Sequence, residues 1–136
     1  MLPAIEKLLP HRPPMRWIDR LIEFTETTAR ASAELTPDHF AVAGGVLLET
    51  ALVECVAQTV AAAQAARAQA RGTHGEPAVG MLAAVSGFRV ESRPSAGKTV
   101  EIEVREVRRF GPMMLVSGTV TCDGAAVASG ELTLYE

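Results

Sequence analysis

One long helical segment lies between two sets of strand-like runs, and this arrangement limits the fold more than any other sequence feature. From about Gly45 to Arg71 the chain is apolar and rich in alanine, the strongest helix former. Gly72 follows as a C-terminal cap, and Arg67 and Arg71 suit the negative end of the helix dipole. A helix of this length rises roughly 40 Å, enough to cross a whole sheet.

The segments on both sides of this helix have the patterns of strands. Residues 15–35 are rich in Ile, Thr, Phe and Trp and alternate loosely, which predicts one or two strands. After a predicted loop at 72–77, the chain reads as four strands, with a hairpin signal at Asp123-Gly124. The order predicts an α+β fold, with one long central helix wrapped by a curved antiparallel sheet and residues 1–136 as one domain.

Composition excludes several classes of function. The chain has 136 residues, 48% of them hydrophobic, which is enough for one core. A net charge of −3 and only 4% aromatic residues argue against nucleic-acid binding, which favours basic stripes and stacking platforms. Polar residues interrupt the apolar helix, so we expect no membrane span.

Cysteine and histidine usage predicts neither a metal site nor a disulfide scaffold. Cys55 and Cys122 are interpreted as buried thiols in a reducing cytoplasm, where the protein is expected. The N-terminus has no continuous apolar stretch of the signal-peptide type. The cysteines and the three histidines lack the local spacing of metal ligands, so no metal is expected.

Two glutamates interrupt the apolar helix, and ionised carboxylates are costly in an apolar setting unless they are paired. Glu49 and Glu54 are five positions apart, so they lie about 140° apart around the helix and cannot share a face. Gln58 lies one turn after Glu54 and is placed to hydrogen-bond it. Glu49 lies near the helix start, where the dipole favours an anion. Alternatively, both glutamates are half-exposed surface residues of the helix with no role in chemistry.

A histidine and a glycine pair precede the helix. His39 is a candidate general base, although a loop histidine is more often a surface or structural residue. Gly44-Gly45 opens the predicted helix, where free backbone N–H groups favour negative charge; a simple tight loop is the alternative. Together with Glu54, these residues would supply a base, an acid and an oxyanion-type donor.

Several motifs of the chain resemble those of the 3-hydroxyacyl-acyl carrier protein dehydratases of the FabZ type. The opening LLPHRPPMRWIDRLIEF is close to the family signature LPHRxPFLLVDRV, and DHF, GGVLLE and ECVAQ are similar to GHFPxxPxxPGVLxxEAxAQ. GFRVESRPSAGKTVEIEV is similar to the later ARFKRPVxPGDxL segment, so the resemblance covers nearly the whole chain. The opening PHRPPM and the GG–V pattern look nearer to the divergent aryl polyene (ApeP-like) branch. The resemblance implies a hotdog fold.

The chain departs from the family pattern around the histidine. The glycine before it is replaced by Asp38, and the following prolines are absent. His39 and Glu54 are 15 positions apart, within one of the family spacing. Alignment on the glycine of GGVLLE would instead bring Glu49 to the acid position. We favour Glu54, because the AQ motif containing Gln58 follows it and because it lies deeper in the helix.

The resemblance implies dehydration of a 3-hydroxyacyl thioester on acyl carrier protein to the trans-2-enoyl thioester, in fatty acid or aryl polyene type biosynthesis. His39 would remove the C2 proton, and Glu54, protonated because of its burial, would protonate the leaving hydroxyl. The N–H of Gly45 or Val46 would polarise the thioester carbonyl. No cofactor is implied, because the substrate arrives on the phosphopantetheine arm of its carrier.

The resemblance also implies an oligomer: a homodimer or a higher even-numbered assembly, or a heterodimer with another hotdog protein. His11 and Arg12 of the N-terminal signature are interpreted as structural residues. Two other functions remain open. A hotdog acyl thioesterase would use the helix carboxylate on water, and a non-catalytic hotdog subunit would support an active dehydratase.

Overall fold

The computed structural model describes residues 2–72 and 81–135. A 3-10 turn at Ile5–Lys7 comes first, and one α-helix, α1 (Glu49–Ala70), follows four of the strands. The strands are β1 (Arg20–Phe24), β2 (Thr28–Glu34), β3 (Val42–Ala43), β4 (Val46–Leu47), β5 (Met81–Val90), β6 (Thr99–Phe110), β7 (Met113–Cys122) and β8 (Ala125–Tyr135). Apart from Gly72, the loop predicted at 72–77 lies outside the described residues.

Six strands form one antiparallel sheet in the order β1-β2-β6-β7-β8-β5, and α1 packs on one face of it. Alternate residues of β6 and β7 are buried, as expected for a sheet with one face covered. The helix lies so close to β7 that a Cβ atom on Gly118 would be 2.6 Å from Cγ1 of Val56. This architecture confirms the predicted α+β hotdog fold.

The predicted start of the helix is wrong. Helix α1 begins at Glu49, because Gly44 and Gly45 have φ angles of +63° and +80° and form the two-residue turn between β3 and β4. Two consecutive residues with positive φ are what such a hairpin turn requires, and glycine adopts them at little cost. The helix therefore has 22 residues and is about 33 Å long.

The helix ends where the sequence predicts, but Arg67 does not serve the helix end as expected. Gly72 has a φ of +87° directly after the capping residue Arg71. Arg67 is buried, and its guanidinium donates to the carbonyls of Thr25 at 2.6 Å and Thr28 at 3.0 Å. It therefore attaches the turn between β1 and β2 to the helix, and burial lowers its pKa.

The predicted hairpin at Asp123-Gly124 and the predicted burial of both cysteines are confirmed in the described residues. Asp123 and Gly124 have positive φ and connect β7 to β8 as a hairpin. Cys55 and Cys122 are both buried and unpaired. No helix in the described parts of the chain combines the length and apolar character needed to cross a membrane. The strand predicted from residue 15 begins later, at Arg20.

Candidate active site

Glu54 and Gln58 lie one turn apart on α1 and are hydrogen-bonded, as their spacing predicts. The Nε2 atom of Gln58 donates to Oε1 of Glu54 at 3.1 Å. Gln58 is almost fully buried, whereas 37% of the Glu54 side chain is exposed. The expected deep burial of Glu54 is therefore wrong for the single chain, because this face of the helix meets the N-terminal segment instead of the sheet.

All four hydrogen-bonding positions of the Gln58 amide are used. Its Oε1 accepts the backbone N–H groups of Trp17 at 2.8 Å and Ile18 at 3.3 Å. Its Nε2 donates to the Met15 carbonyl at 2.8 Å as well as to Glu54. Gln58 thus joins residues 15–18 to the helix and at the same time fixes one oxygen of the candidate acid.

His39 lies against the same N-terminal segment. Its Nδ1 accepts the backbone N–H of Ala41 at 3.0 Å, and its Nε2 is 3.1 Å from the carbonyl oxygen of Pro14. Because Nδ1 is an acceptor, Nε2 carries the proton and donates it to Pro14. The ring also stacks on Phe40 and meets Trp17 edge-on, so both the ring plane and the tautomer are fixed.

This geometry has a direct consequence for the predicted base. Both ring nitrogens of His39 are engaged, so the ring accepts a proton from a substrate only after one of these bonds opens. Nε2 already carries a proton, so the nitrogen that can accept one is Nδ1, once the bond from the Ala41 N–H has opened. Catalytic hydrogen bonds are often arranged differently before substrate is bound.

The glycine turn does not supply helix N-terminal donors. Gly45 lies in the hairpin turn, with its carbonyl accepting the Ala96 N–H at 2.9 Å, and Val46 pairs with Ala43 and bridges to Ser95. The expectation that Gly45 or Val46 opens the helix is therefore wrong. A thioester carbonyl directed at the helix terminus would meet the N–H groups that follow Leu48, the N-cap residue.

Glu49 occupies the first turn of α1 and is exposed. An acidic side chain here interacts favourably with the positive end of the helix dipole. Glu49 lies on a different face from Glu54, as the five-residue spacing predicts. Its position favours a role at the helix end.

The sequence interpretation missed His11. Its Nε2 is 3.9 Å from Oε1 of Glu54, the closest ion-pair type contact of that carboxyl among the described residues. Arg12, its neighbour, is structural as predicted: its guanidinium donates to the carbonyls of Glu6, Leu9 and His11. The signal for His11 was its place in the PHR motif, but nothing in the sequence places residue 11 beside residue 54.

The site has no cluster of metal ligands. Within residues 2–72 and 81–135, no group of three or more His, Cys, Asp or Glu side chains is placed to hold a metal ion. Burial raises the pKa of the Cys55 thiol to about 12, so this neighbour of Glu54 stays neutral.

Proteins of similar sequence include dehydratases of the FabZ type. A FabZ 3-hydroxyacyl-[acyl-carrier-protein] dehydratase of Staphylococcus carnosus is 30% identical over 139 residues, covering 95% of this chain and 90% of the relative. The FabZ enzyme of Bacillus subtilis is 29% identical over 139 residues, with 95% and 92% covered.

Solved structures share the fold. The dehydratase heterocomplex ApeI:P from Xenorhabdus doucetiae has a chain that superposes with a TM-score of 0.90 at 19% identity, covering 100% of this chain and 92% of that chain. An acetyl-CoA-bound protein from Streptococcus mutans superposes with a TM-score of 0.68 at 16% identity, covering 93% and 94%.

The family comparison covers almost the entire chain. Residues 3–136 match the ApeP-like family, described as ApeP dehydratase. The match includes the N-terminal segment with His11, the loop before β3 with His39, and α1 with Glu54 and Gln58. The chain therefore belongs to the ApeP-like dehydratase family.

Proposed function

We propose that this chain dehydrates a 3-hydroxyacyl thioester on acyl carrier protein to the trans-2-enoyl thioester, in fatty acid or aryl polyene type biosynthesis. The observation that carries the proposal is the Glu54–Gln58 pair, joined by Gln58 to the segment that also contacts His39. The FabZ relatives and the ApeP-like family support the reaction class.

In the proposed reaction, Nδ1 of His39, released from the Ala41 N–H, removes the C2 proton, while Nε2 keeps its own proton and its bond to the Pro14 carbonyl. Glu54 gives its proton to the departing 3-hydroxyl, which leaves as water while the C2–C3 double bond forms. The proton on His39 then returns to Glu54 through solvent, so the cycle closes with no net change in the protein. The elimination consumes no redox equivalent, and we propose that it requires no cofactor beyond the carrier's phosphopantetheine arm.

The functional unit contains at least two chains. Strand β5 is an edge of the sheet, paired only with β8, and eight of its ten residues are exposed, including Met81, Leu82 and Val85. An apolar edge strand is a template for pairing with another strand. The known ApeI:P heterocomplex supports a second hotdog protein as the partner, with a homodimer or larger even-numbered assembly as the alternative.

The unpaired cysteines Cys55 and Cys122 support a cytoplasmic location, since secreted proteins of this size often use disulfides. Neither membrane nor nucleic acid has a role in the proposed reaction.

A second candidate function is a non-catalytic subunit of a dehydratase. The observation favouring it is that both ring nitrogens of His39 are hydrogen-bonded within the chain. In that case the partner would provide the base, and this chain would provide packing and carrier contacts. A hotdog thioesterase is the third candidate, in which the partly exposed Glu54 would activate water.

One experiment separates these candidates. The purified chain, alone and mixed with a co-encoded hotdog protein, is incubated with 3-hydroxyacyl carrier protein, and the products are identified by intact-protein mass spectrometry. A dehydratase gives a loss of water from the acyl group, whereas a thioesterase gives the free phosphopantetheine thiol. Glu54→Gln retains the size of the side chain but loses the acid, and Glu49→Gln is the matched control on the same helix.

We expect dehydration by the wild type and by Glu49→Gln, and none by Glu54→Gln. Activity of Glu54→Gln equal to wild type would remove Glu54 from the chemistry. Activity that appears only in the mixture, and survives both Glu54→Gln and His39→Gln of this chain, would establish the non-catalytic subunit.

The pairing of β5 is tested with Val85→Lys, which places a charge at the middle of this edge strand. We expect it to reduce the assembled fraction in sedimentation or light-scattering measurements. Thr27→Lys, in the exposed turn after β1 at the other edge of the sheet, is the control. An unchanged assembly in Val85→Lys would show that another surface joins the chains.

A further inference from the structure

The His11 ring faces the oxygen of Glu54 that Gln58 already contacts. The Nε2 atom of His11 lies 3.9 Å from Oε1 of Glu54, and Gln58 donates to the same oxygen at 3.1 Å. In the described residues, Oε2 of Glu54 has no hydrogen-bond partner. The two oxygens of this carboxyl therefore have different surroundings.

The burial of the other ring nitrogen favours one tautomer of His11. Its Nδ1 atom is buried and has no hydrogen-bond partner within the described ranges. A buried N–H without an acceptor costs free energy, so the tautomer with its proton on Nδ1 is disfavoured. Nε2, which lies 3.9 Å from Oε1 of Glu54, is therefore the nitrogen placed to carry the N–H.

Two N–H donors on one oxygen of a carboxylic acid decide where its proton resides. The oxygen that accepts hydrogen bonds behaves as the carbonyl oxygen, and the other oxygen carries the hydrogen. For Glu54 the acceptor is Oε1, so the transferable proton is on Oε2, the oxygen that is free to meet a substrate. A separation of 3.9 Å exceeds a hydrogen bond, and a shift of about 1 Å closes it, as catalytic contacts often do when substrate binds.

We propose that His11 is a positioning residue for the acid step, holding Oε1 of Glu54 together with Gln58 so that the proton to be transferred resides on Oε2. This inference rests on the proposed dehydration. The inference goes beyond the proposed dehydration because it assigns a role to a residue of the N-terminal segment and identifies which oxygen of Glu54 gives up the proton.

Other charged groups near this pair have partners elsewhere. Arg12 donates to backbone carbonyls, Arg16 pairs with Glu6, and Asp19 accepts the backbone N–H of Glu34. Cys55 is a neutral thiol on the helix. The titratable or charged groups on the elements that carry the pair include Glu6, Arg12, Arg16 and Asp19 of the N-terminal segment, His39 of the loop before β3, and Cys55 of the helix, whose thiol interacts electrostatically with Glu54.

The test compares three substitutions of His11 over a range of pH. His11→Leu removes the donor, His11→Gln places an amide N–H near the position of Nε2, and His11→Asn places one near Nδ1. We expect His11→Leu and His11→Asn to lower kcat about tenfold, a part of the usual contribution of a general acid, with KM within about twofold. His11→Gln is expected to recover most of the activity.

The pH profile separates positioning from a structural role. A hydrogen bond donated to a carboxylate favours its ionised form, so removing the donor should change the pH dependence of the acid step. The alkaline limb of the kcat profile, where the acid loses its proton, should therefore move to higher pH in His11→Leu but not in His11→Gln. Arg12→Leu, a structural change next to His11, should alter stability without moving this limb.

Two outcomes would overturn the inference while leaving the dehydratase in place. One is an active wild type, an inactive Glu54→Gln and a His11→Leu with unchanged kcat and pH profile. The other, which needs no activity, comes from ¹⁵N NMR of the histidine rings. We expect Nε2 of His11 to carry a proton and Nδ1 to carry none, and a proton on Nδ1 would contradict the proposal. An inactive wild type, by contrast, would contradict the proposed function.

Discussion

Gln58 offers a direct test of how the N-terminal segment is held, because its side chain is almost fully buried and makes four hydrogen bonds, three of them to residues 40 to 43 positions away along the chain. Gln58→Met keeps the volume and the helix propensity of the side chain but removes every hydrogen bond. The backbone N–H groups of Trp17 and Ile18 would then be buried without an acceptor, since both residues are buried. The Met15 carbonyl lies on an exposed residue, so water can replace its lost partner.

The expected loss of stability follows from this count. A buried donor left without a partner costs about 1–3 kcal/mol, and the 3.3 Å bond to Ile18 is weaker than the 2.8 Å bond to Trp17. We therefore expect Gln58→Met to lower the free energy of unfolding by about 2–4 kcal/mol, a large part of the stability of an ordinary domain.

The assay is urea unfolding at one fixed protein concentration, because association makes stability depend on concentration. Gln69→Met is the matched control on the same helix, where the lost bond is an exposed one to the Lys7 carbonyl at 3.0 Å. It should change the free energy of unfolding by no more than about 0.5 kcal/mol. A loss in Gln58→Met no larger than in this control, with an unchanged denaturant slope, would refute the reasoning.

Two further predictions concern the core. Gly118→Ala should lower the free energy of unfolding by about 1–3 kcal/mol, because the added Cβ would lie 2.6 Å from Cγ1 of Val56. Adding Val56→Ala should recover part of this loss in the same urea assay. A Gly118→Ala protein as stable as wild type would contradict the predicted clash. Burial raises the pKa of Cys55 from its ordinary value of 9.0 to about 12 in the folded chain. The thiol therefore ionises more readily in the unfolded chain, so its contribution to folding stability is complete below pH 9 and is lost as the pH rises from 9 towards 12. Above pH 9 the free energy of unfolding of wild type should therefore fall relative to that of Cys55→Ala, by up to about 1.4 kcal/mol per pH unit. A constant difference in the free energy of unfolding between the two proteins from pH 8 to 10.5 would show that the thiol does not titrate as described.

The sequence predicted those parts of the fold that depend on local patterns. Alternation gave the strands after residue 98, Asp123-Gly124 gave the last hairpin, and Gly72 gave the end of α1. The predicted start of the helix was wrong because Val46–Leu48 is as apolar as the helix itself. The pair Gly44-Gly45 marks the true boundary, but a glycine pair occurs both before helices and in hairpin turns, so it did not identify the turn.

The candidate site was predictable only where its contacts are local. The i, i+4 spacing gave the Glu54–Gln58 bond, and the five-residue spacing separated Glu49 from Glu54. The bonds from His39 to Pro14 and from Gln58 to residues 15–18, and the approach of His11 to Glu54, join positions 25–43 residues apart. Such contacts arise from the docking of the N-terminal segment on the helix, which no periodicity encodes.

The open edge at β5 also has a consequence for how the chain is made. The pairing of β5 with β8 is irregular between Leu82 and Ala84 and between Ser86 and Arg89. Few charged side chains protect the strand, however: Arg89 near its end is the one charged residue within Met81–Val90, where natural edge strands often carry lysines against unwanted pairing. In the proposed heterodimer, chains synthesised in excess of their partner would keep this edge open and would pair among themselves instead of with the partner. Balanced synthesis of the two partners would therefore protect the chain from aggregation, and expression alone should yield less soluble protein than co-expression.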